Sequence, residues 1–161
     1  MARHPLSATL RVKRLNEEAS LPVKKTPGSA GFDVCACITE PPGRVGISPG
    51  ARAVIPLGIA VDLDEGWEVQ VRPRSGLALK KGITVLNTPG TVDSDYRGEI
   101  KVILANLGDR TFIVEHGDRI AQLVVSAVPR VALIEVDEIQ ETERGDGGFG
   151  STGVQNDEAP A

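Results

Sequence analysis

Short runs of apolar, often β-branched residues recur along most of the chain and are separated by turn formers. The clearest is Trp67–Arg72, where apolar and polar residues alternate strictly, as in a strand with one buried face. Proline and glycine clusters such as Pro41-Pro42-Gly43 and Ser48-Pro49-Gly50 interrupt the runs. Many short strands at this spacing predict an all-β sandwich or barrel. Further strands are predicted at 53–55, 58–61, 83–86, 100–104, 112–114, 120–125 and 131–136.

One segment departs from the strand pattern and predicts a short helix. Ser75–Lys81 combines good helix formers with two terminal lysines, and Gly82 follows as a stop. Ser75 is the candidate N-cap. The start of this helix places backbone N–H groups and a hydroxyl beside Arg74, which together form a candidate anion site.

Composition limits the kind of protein this is. A length of 161 residues suits one domain with a real core, and because only 3% of residues are aromatic, aliphatic side chains must build its interior. The net charge of −4 leaves no broad basic face, and five aromatic residues are too few for a base-stacking platform. We therefore expect no polymeric nucleic acid as partner.

The two cysteines, Cys35 and Cys37, form a C-x-C pair whose side chains share one face if the segment is a strand. This arrangement suits neither a disulfide nor a closed four-ligand zinc site, and we expect buried, reduced thiols. No apolar run is long enough to span a bilayer, and the N-terminus lacks a long apolar signal segment. The expectation is a soluble, cytoplasmic protein without a membrane partner.

The segment 87–101 joins two apolar runs through polar residues and predicts a β-hairpin with candidate chemistry. It carries three carboxylates, on Asp93, Asp95 and Glu99, and the aromatic ring of Tyr96. In a chain so poor in rings, a tyrosine in a glycine-containing loop suggests contact with a ligand. The alternative is that Tyr96 packs at the edge of the barrel while the acids are solvated turn residues.

Three more segments carry candidate chemistry. Arg74-Ser75-Gly76 offers a guanidinium fork, a hydroxyl and a glycine that permits close approach, which together suit phosphate. Gln122 follows a charged turn and is a candidate site residue. The alternative is a plain turn followed by a core strand, which is the usual structure of such a segment. Asp33 lies in an apolar run and needs a partner, so a structural salt bridge and a metal are both open.

The glycine-rich segment 144–153 contains Arg144, Phe149 and a Ser-Thr pair. Its glycines let the backbone approach a ligand closely, and Arg144 can pair with phosphate, so the segment is a candidate phosphate lid. It is not a P-loop, because no lysine follows the glycines. A flexible polar terminus is the alternative.

Taken in order, these segments resemble the five motifs of the trimeric dUTPases, and the match runs through residues 30–153. Two departures, Phe32 where the family often has Tyr and Val92 where Ile is common, are apolar exchanges that leave the assigned roles intact. The matching segments are 30–33, 73–76, 87–99, 117–122 and 144–153.

The resemblance implies a homotrimer of jelly-roll-like β-barrel subunits, each with one short helix and a flexible C-terminal tail, that share their active sites. The barrel domain would cover 1–143, the lid 144–153 and a disordered tail 154–161. The implied reaction is hydrolysis of dUTP to dUMP and pyrophosphate, with Mg²⁺ assisting in-line attack of water on the α-phosphorus. It would keep uracil out of DNA and supply dUMP for thymidylate synthesis.

The resemblance also implies roles for individual residues. Asp93 would be the general base, and Asp33 would hold the water shell of the Mg²⁺ ion. Tyr96 would pack against the deoxyribose. Phosphates would be bound by Arg74, Ser75, Gly76 and Gln122, uracil by Asn87, Gly90, Thr91, Val92 and Lys101, and the closed nucleotide by Arg144, Phe149, Gly150, Ser151 and Thr152.

Two alternatives stay open at this point. A dCTP deaminase has a similar fold but attacks a ring carbon rather than phosphorus, and the Asp93 hairpin together with the complete tail favours a dUTPase. A dUTPase-like scaffold that acts as a nucleotide-controlled binding protein is the other. Ammonia release from dCTP and pyrophosphate release from dUTP distinguish them.

Overall fold

Antiparallel strands account for most of the regular structure in the computed structural model, which describes residues 7–148. The chain divides into two units, the first ending at Arg130 and the second beginning at Val131. The regular elements lie in the first unit. They are β1 Arg11–Arg14, β2 Phe32–Cys35, β3 Arg44–Ile47, β4 Arg52–Pro56, β5 Ile59–Asp62, β6 Trp67–Arg72, α1 Ser75–Lys81, β7 Ile83–Val85, β8 Gly90–Val92, β9 Lys101–Asn106, β10 Phe112–Glu115 and β11 Arg119–Ala127.

The strands form four sheets in the described residues. The largest has the order β2-β11-β6-β8, a second has the order β4-β9-β7, and the pairs β1-β5 and β3-β10 complete the set. The predicted all-β class with one short helix is confirmed. The sheets do not close on one another, so the jelly-roll-like barrel is approximate.

The helix ends as predicted but does not begin as predicted. Gly82 adopts φ 66°, and its N–H donates to the carbonyls of Ala78 and Leu77, which closes the last turn. At the other end, Arg74 is the N-cap residue and no side chain caps the helix, so Ser75 is the first helical residue and not the cap. The predicted Ser75 cap is therefore wrong.

One predicted strand is absent and four observed strands were not predicted. The segment 131–136 is not a strand in the part of the chain that the structure describes, and Val131 and Leu133 are 81% and 93% exposed. A β-propensity run forms a strand only where a partner edge is available, and residues 131–148, the described part of the second unit, offer none. The unpredicted strands are β1, β2, β3 and β8, which are only three or four residues long.

The core is aliphatic, as the composition predicts. Its largest fully buried side chains are isoleucines, leucines and valines, while Trp67 and Phe112 are only partly buried at its border. Cys37 belongs to this core and Cys35 is partly exposed, and both thiols are free. Burial raises the pKa of the Cys37 thiol, and the charges of Glu18 and Glu99 raise it further. No helix in the described part of the chain is long and apolar enough to cross a membrane.

Asn106 is fully buried at the end of β9, where it joins the end of β3 to the β9–β10 loop. Its side-chain Nδ2 donates to the carbonyls of Ile47 and Arg110, each at 2.8 Å, and its Oδ1 accepts the Gly108 N–H at 2.9 Å. All of the hydrogen-bonding groups of this amide therefore have partners, which is the condition for a stable polar side chain in an apolar core.

Replacing Asn106 with alanine is expected to lower the free energy of unfolding by about 3 kcal/mol, because buried carbonyls and an amide lose their partners together. Urea denaturation at neutral pH measures the loss. Asn16→Ala is the matched control: Asn16 also makes two side-chain hydrogen bonds, to Thr39 and Glu18, but in a partly exposed loop. Its loss should stay below about 1 kcal/mol. Equal losses in the two variants would contradict the role given to Asn106.

Candidate active site

A cavity of about 410 Å³ opens beside β8 and β9 and collects five of the predicted site residues. The strands that frame it belong to different sheets, since β8 pairs with β6 whereas β9 pairs with β4 and β7. The size suits a small organic ligand. The predicted residues in its lining are Thr91, Val92, Asp93, Tyr96 and Lys101, and the remaining lining residues are Val54, Glu99, Ile100 and Ile103.

The 87–101 segment is a hairpin in which β7 and β9 pair, as predicted, but its connecting loop makes an extra strand. That strand, β8, pairs with β6 so that Gly90 faces Val71. A Cβ on Gly90 would lie 3.1 Å from Nδ2 of Asn87 and 3.4 Å from Cβ of Val71. Glycine therefore lets β8 approach β6 closely while the Asn87 amide lies over it, next to the cavity-lining residues.

The loop that follows β8 holds Asp93 and Tyr96 in one turn. The Tyr96 N–H donates to the Asp93 carbonyl at 3.2 Å, and the Tyr96 hydroxyl donates to the Glu99 carbonyl at 3.1 Å. The Arg97 guanidinium donates to the Ser94 carbonyl at 2.6 Å. Asp93 is exposed, and the Tyr96 ring is 45% exposed at the rim of the cavity, where one face is open to a ligand.

A second cluster forms where β11 lies between β2 and β6. Gln122 is in register with Asp33 on one side and with Arg72 on the other, and its Nε2 donates to the Pro73 carbonyl at 3.0 Å. A Cβ on Gly31 would lie 2.5 Å from Oε1 of Gln122, so only glycine leaves room for this amide. Gln122 is thus held beside the Arg74-Ser75-Gly76 segment.

Asp33 is the ionic centre of this second cluster. Its carboxylate lies 2.9 Å from Nη1 of Arg119 and 3.7 Å from Nε of Arg74, and its side chain is only 17% exposed. Arg74 Nη1 also donates to the Arg119 carbonyl at 2.7 Å. The structural salt bridge expected as one alternative is therefore present. Arg119, which the sequence reasoning did not assign, is its closer partner, and its place in the charged turn before β11 was the available signal.

The helix start completes the second cluster. Ser75 and Gly76 are exposed in the first turn of α1, directly after Arg74, whose carbonyl accepts the Leu77 and Ala78 N–H groups at 3.0 Å each. A hydroxyl, a glycine backbone and a guanidinium are thus presented side by side at the surface. Together with the Gln122 amide they can bind an anion such as phosphate.

Asp93 of the first cluster and Arg74 of the second lie toward opposite ends of β6. Val92, which precedes Asp93, is in register with Val69, whereas Arg74 follows Val69 by five residues. At the rise of an extended chain this separation is about 17 Å. Because β8 runs antiparallel to β6, the chain moves away from Arg74 as it passes from Val92 to Asp93. One chain therefore presents two half-sites rather than a single converged site.

The described residues contain no group of three or more His, Cys, Asp and Glu side chains that could hold a metal ion by themselves. Asp33 is already paired with two arginines. Each of its carboxylate oxygens therefore has an arginine partner, an arrangement that suits contact with a hydrated cation through water more than direct coordination.

The second unit contains the beginning of the predicted lid. Arg144 is exposed, and its Nε donates to the Gly147 carbonyl at 2.9 Å. Gly145 has φ 51° and its N–H donates to the Thr142 carbonyl at 3.0 Å, so residues 142–147 form consecutive turns. The other predicted lid residues, Phe149, Gly150, Ser151 and Thr152, lie outside the described residues.

Comparison with known proteins identifies the family. The dUTPase family model matches residues 17–153. The deoxyuridine 5'-triphosphate nucleotidohydrolase of Chlamydia muridarum is 58% identical over 141 residues, covering 87% of this chain and 95% of that protein. The protein of the same name from Syntrophotalea carbinolica is 53% identical over 145 residues, covering 90% of this chain and 97% of the relative.

Solved dUTPase structures support the same family assignment. The dUTPase of Staphylococcus bacteriophage 80alpha with dUPNHPP superposes with a TM-score of 0.77 at 29% identity, covering 91% of this chain and 99% of that one. The motifs on which the resemblance was based thus lie within a match that extends over most of the chain. The chain belongs to the dUTPase family.

Proposed function

We propose that this protein hydrolyses dUTP to dUMP and pyrophosphate by attack of water on the α-phosphorus, in line with the leaving pyrophosphate. The observation that carries the proposal is the cavity beside β8 and β9, in which Asp93 and Tyr96 lie with the backbone of β8 and the start of β9. An exposed carboxylate, an aromatic ring and an open strand edge are what a deoxynucleotide and its attacking water require.

Uracil recognition would use the backbone of β8. This strand lies at one edge of its sheet, so its groups on the side away from β6 can meet the base. The Leu86 N–H donates to the Ile103 carbonyl at 2.8 Å, and after this bond the segment that follows β7 diverges from β9. Lys101, the first residue of β9, lines the same cavity. Uracil's acceptor, donor and acceptor groups fit such backbone groups and the Asn87 amide, whereas cytosine would leave them mispaired.

Asp93 would act as the general base. Its carboxylate is exposed at the cavity, and the turn bond to Tyr96 limits where it can lie. A carboxylate can orient a water molecule and accept its proton while the phosphorus is attacked. Tyr96 would lie flat against the deoxyribose and leave no space for a 2′-hydroxyl, which supports selectivity for deoxynucleotides.

The triphosphate would be bound by Arg74, Ser75, Gly76 and Gln122. The Asp33 carboxylate holds Arg74 from one side, which limits the directions in which the guanidinium can point. Asp33 would also contact the water shell of a Mg²⁺ ion held mainly by phosphate oxygens, consistent with the pairing of its carboxylate to arginine. When bound, Mg²⁺ would neutralise charge on the phosphates. Arg144, Phe149, Gly150, Ser151 and Thr152 would close over the nucleotide.

A homotrimer with shared active sites would bring the half-sites of neighbouring chains together, and the separation of the two half-sites within one chain supports it. About 17 Å of extended chain is longer than the stretch of a triphosphate between its α- and γ-phosphorus atoms, which favours Asp93 and Arg74 of different chains at one dUTP. The second unit supports association as well. Five of its large apolar side chains are at least 59% exposed, an unusual density for a protein that stays monomeric. They are Val131, Leu133, Ile134, Val136 and Ile139.

In the cell this reaction would keep uracil out of DNA and supply dUMP for thymidylate synthesis. The cytoplasm is the expected location. The free thiols of Cys35 and Cys37 fit a reducing compartment.

Asp93→Asn is expected to lower kcat for dUTP about 10³-fold or more, because an amide cannot accept the proton of the attacking water. The Kd for dUTP, measured by calorimetry, should change less than about threefold, since the shape of the side chain is kept. Asp95→Asn is the matched control, an exposed carboxylate two residues away in the same loop. Pyrophosphate release provides the assay. An Asp93→Asn variant with the kcat of the wild type would refute the assignment of the base, and ammonia release from dCTP would indicate a deaminase instead.

Deleting residues 144–161 is expected to reduce kcat/KM at least about 100-fold while the urea midpoint of unfolding stays within error, because the lid would contact the nucleotide but not the core. Light scattering should give about three times the mass of one chain for this variant and for the full-length protein alike. A truncated protein with full activity would exclude the lid.

A further inference from the structure

The loop that carries Asp93 and Tyr96 is connected to the body of the protein through Glu99. Oε1 of the Glu99 carboxylate accepts the Gly58 N–H at 2.9 Å, and the Glu99 carbonyl accepts the Tyr96 hydroxyl at 3.1 Å. Oε2 lies 3.5 Å from Nζ of Lys101. Glu99 thus contacts the β4–β5 turn, the tyrosine and the first residue of β9.

Gly58 is a fixed anchor for this carboxylate. It is buried with φ 65°, and a Cβ there would lie 2.7 Å from Sγ of Cys37 and 2.8 Å from Cβ of Ala19, so only glycine fits. Its carbonyl accepts the Leu15 N–H at 2.8 Å. Packing on both sides therefore determines where the Gly58 N–H points, and a buried N–H requires an acceptor.

The residue after Glu99 is fixed as well. The Ile100 N–H donates to the Ile59 carbonyl at 2.9 Å, and the Leu57 N–H donates to the Ile100 carbonyl at 3.2 Å. These backbone bonds leave the Glu99 side chain little choice of direction. The Glu99 side chain is 26% exposed. Its bond to Gly58 is charge-assisted and is therefore stronger than a bond between neutral groups.

The other ionic anchor of the loop is weaker. Arg97 pairs with Asp62 at 2.9 Å, but the two side chains are 56% and 47% exposed, so water and salt screen the pair. Of these two carboxylate contacts, the half-buried one of Glu99 is therefore the stronger.

We propose that Glu99 is a positioning residue for dUTP hydrolysis, acting on Asp93 and Tyr96 through its hydrogen bond to Gly58. This inference rests on the proposed function. If the bond is lost, the backbone bonds of Ile100 still hold the Glu99 carbonyl that accepts the Tyr96 hydroxyl. The loop before Glu99 then loses its side-chain connection to the β4–β5 turn, and the turn that carries Asp93 shifts relative to the bound nucleotide. A displacement of the base by about 1 Å can slow the chemical step about 100-fold.

Two substitutions test the hydrogen bond. Glu99→Ala removes it and is expected to lower kcat about 10- to 100-fold with a smaller change in KM. Glu99→Gln keeps an oxygen that can accept the Gly58 N–H, so kcat should stay within about threefold of the wild type. Glu99→Asp is one methylene too short to reach Gly58 and should resemble the alanine variant. If the alanine variant does not fold, the aspartate and glutamine variants decide the question.

Tyr96 is the only tyrosine in the chain, so it provides a spectroscopic probe of the loop. With 3-fluorotyrosine incorporated, the single ¹⁹F resonance should move in Glu99→Asp and remain near its wild-type position in Glu99→Gln. A purely structural role would lower stability without this pattern. Glu68→Ala serves as the control, since Glu68 is also partly buried and accepts one side-chain hydrogen bond, from Gln70 at 2.6 Å.

Two results would overturn the inference: an alanine or aspartate variant with wild-type kcat, or a glutamine variant as slow as the aspartate variant. The latter would mean that an oxygen able to accept the Gly58 N–H does not preserve kcat, so the bond to Gly58 would not be what positions the loop. Failure of the proposed function gives a different result, because the wild-type protein itself would release no pyrophosphate from dUTP.

Discussion

Strand β6 pairs with β11 along one edge and with β8 along the other, and this double pairing determines where the candidate residues Gln122 and Asp93 lie. The β11 edge brings Gln122 beside Arg72 and Asp33, close to the start of α1. The β8 edge fixes Val92, and with it Asp93, at the other end of the strand. Because side chains in a sheet alternate strictly, a slip of one residue in either pairing would turn Gln122 or Thr91 toward the core. The half-sites are thus as well defined as the sheet itself.

The part of the fold that follows local rules could be predicted from the sequence. Trp67–Arg72 alternates because one of its faces packs on the core, and the observed strand has the same bounds. Gly82 ended the helix as expected because that position requires a positive φ. Strand β8 could not be predicted, since Gly90–Val92 becomes a strand only by pairing with the distant β6. The strand prediction for 131–136 failed for the opposite reason: the segment has the composition of a strand but finds no partner among the described residues of its own unit, 131–148.

The candidate site shows the same division between local and non-local information. Motif chemistry pointed to Asp93, Tyr96 and Arg74, and the structure brings each of them to the surface beside other predicted residues. Sequence reasoning did not reveal what holds them there. Arg119 pairs with Asp33 across two strands, and Glu99 reaches Gly58 across forty-one residues of chain. Such supporting contacts depend on tertiary packing, so no local sequence pattern predicts them.

The central claim is that one active site combines Asp93 of one chain with Arg74 of another. Refolding a mixture of Asp93→Asn and Arg74→Gln chains, each inactive alone, tests it directly. In mixed trimers formed at equal ratio, about a quarter of the sites would receive both wild-type residues, so about a quarter of wild-type pyrophosphate release should return. If the two residues acted within one chain, no chain in the mixture would carry both, and the absence of any recovered activity would contradict the account.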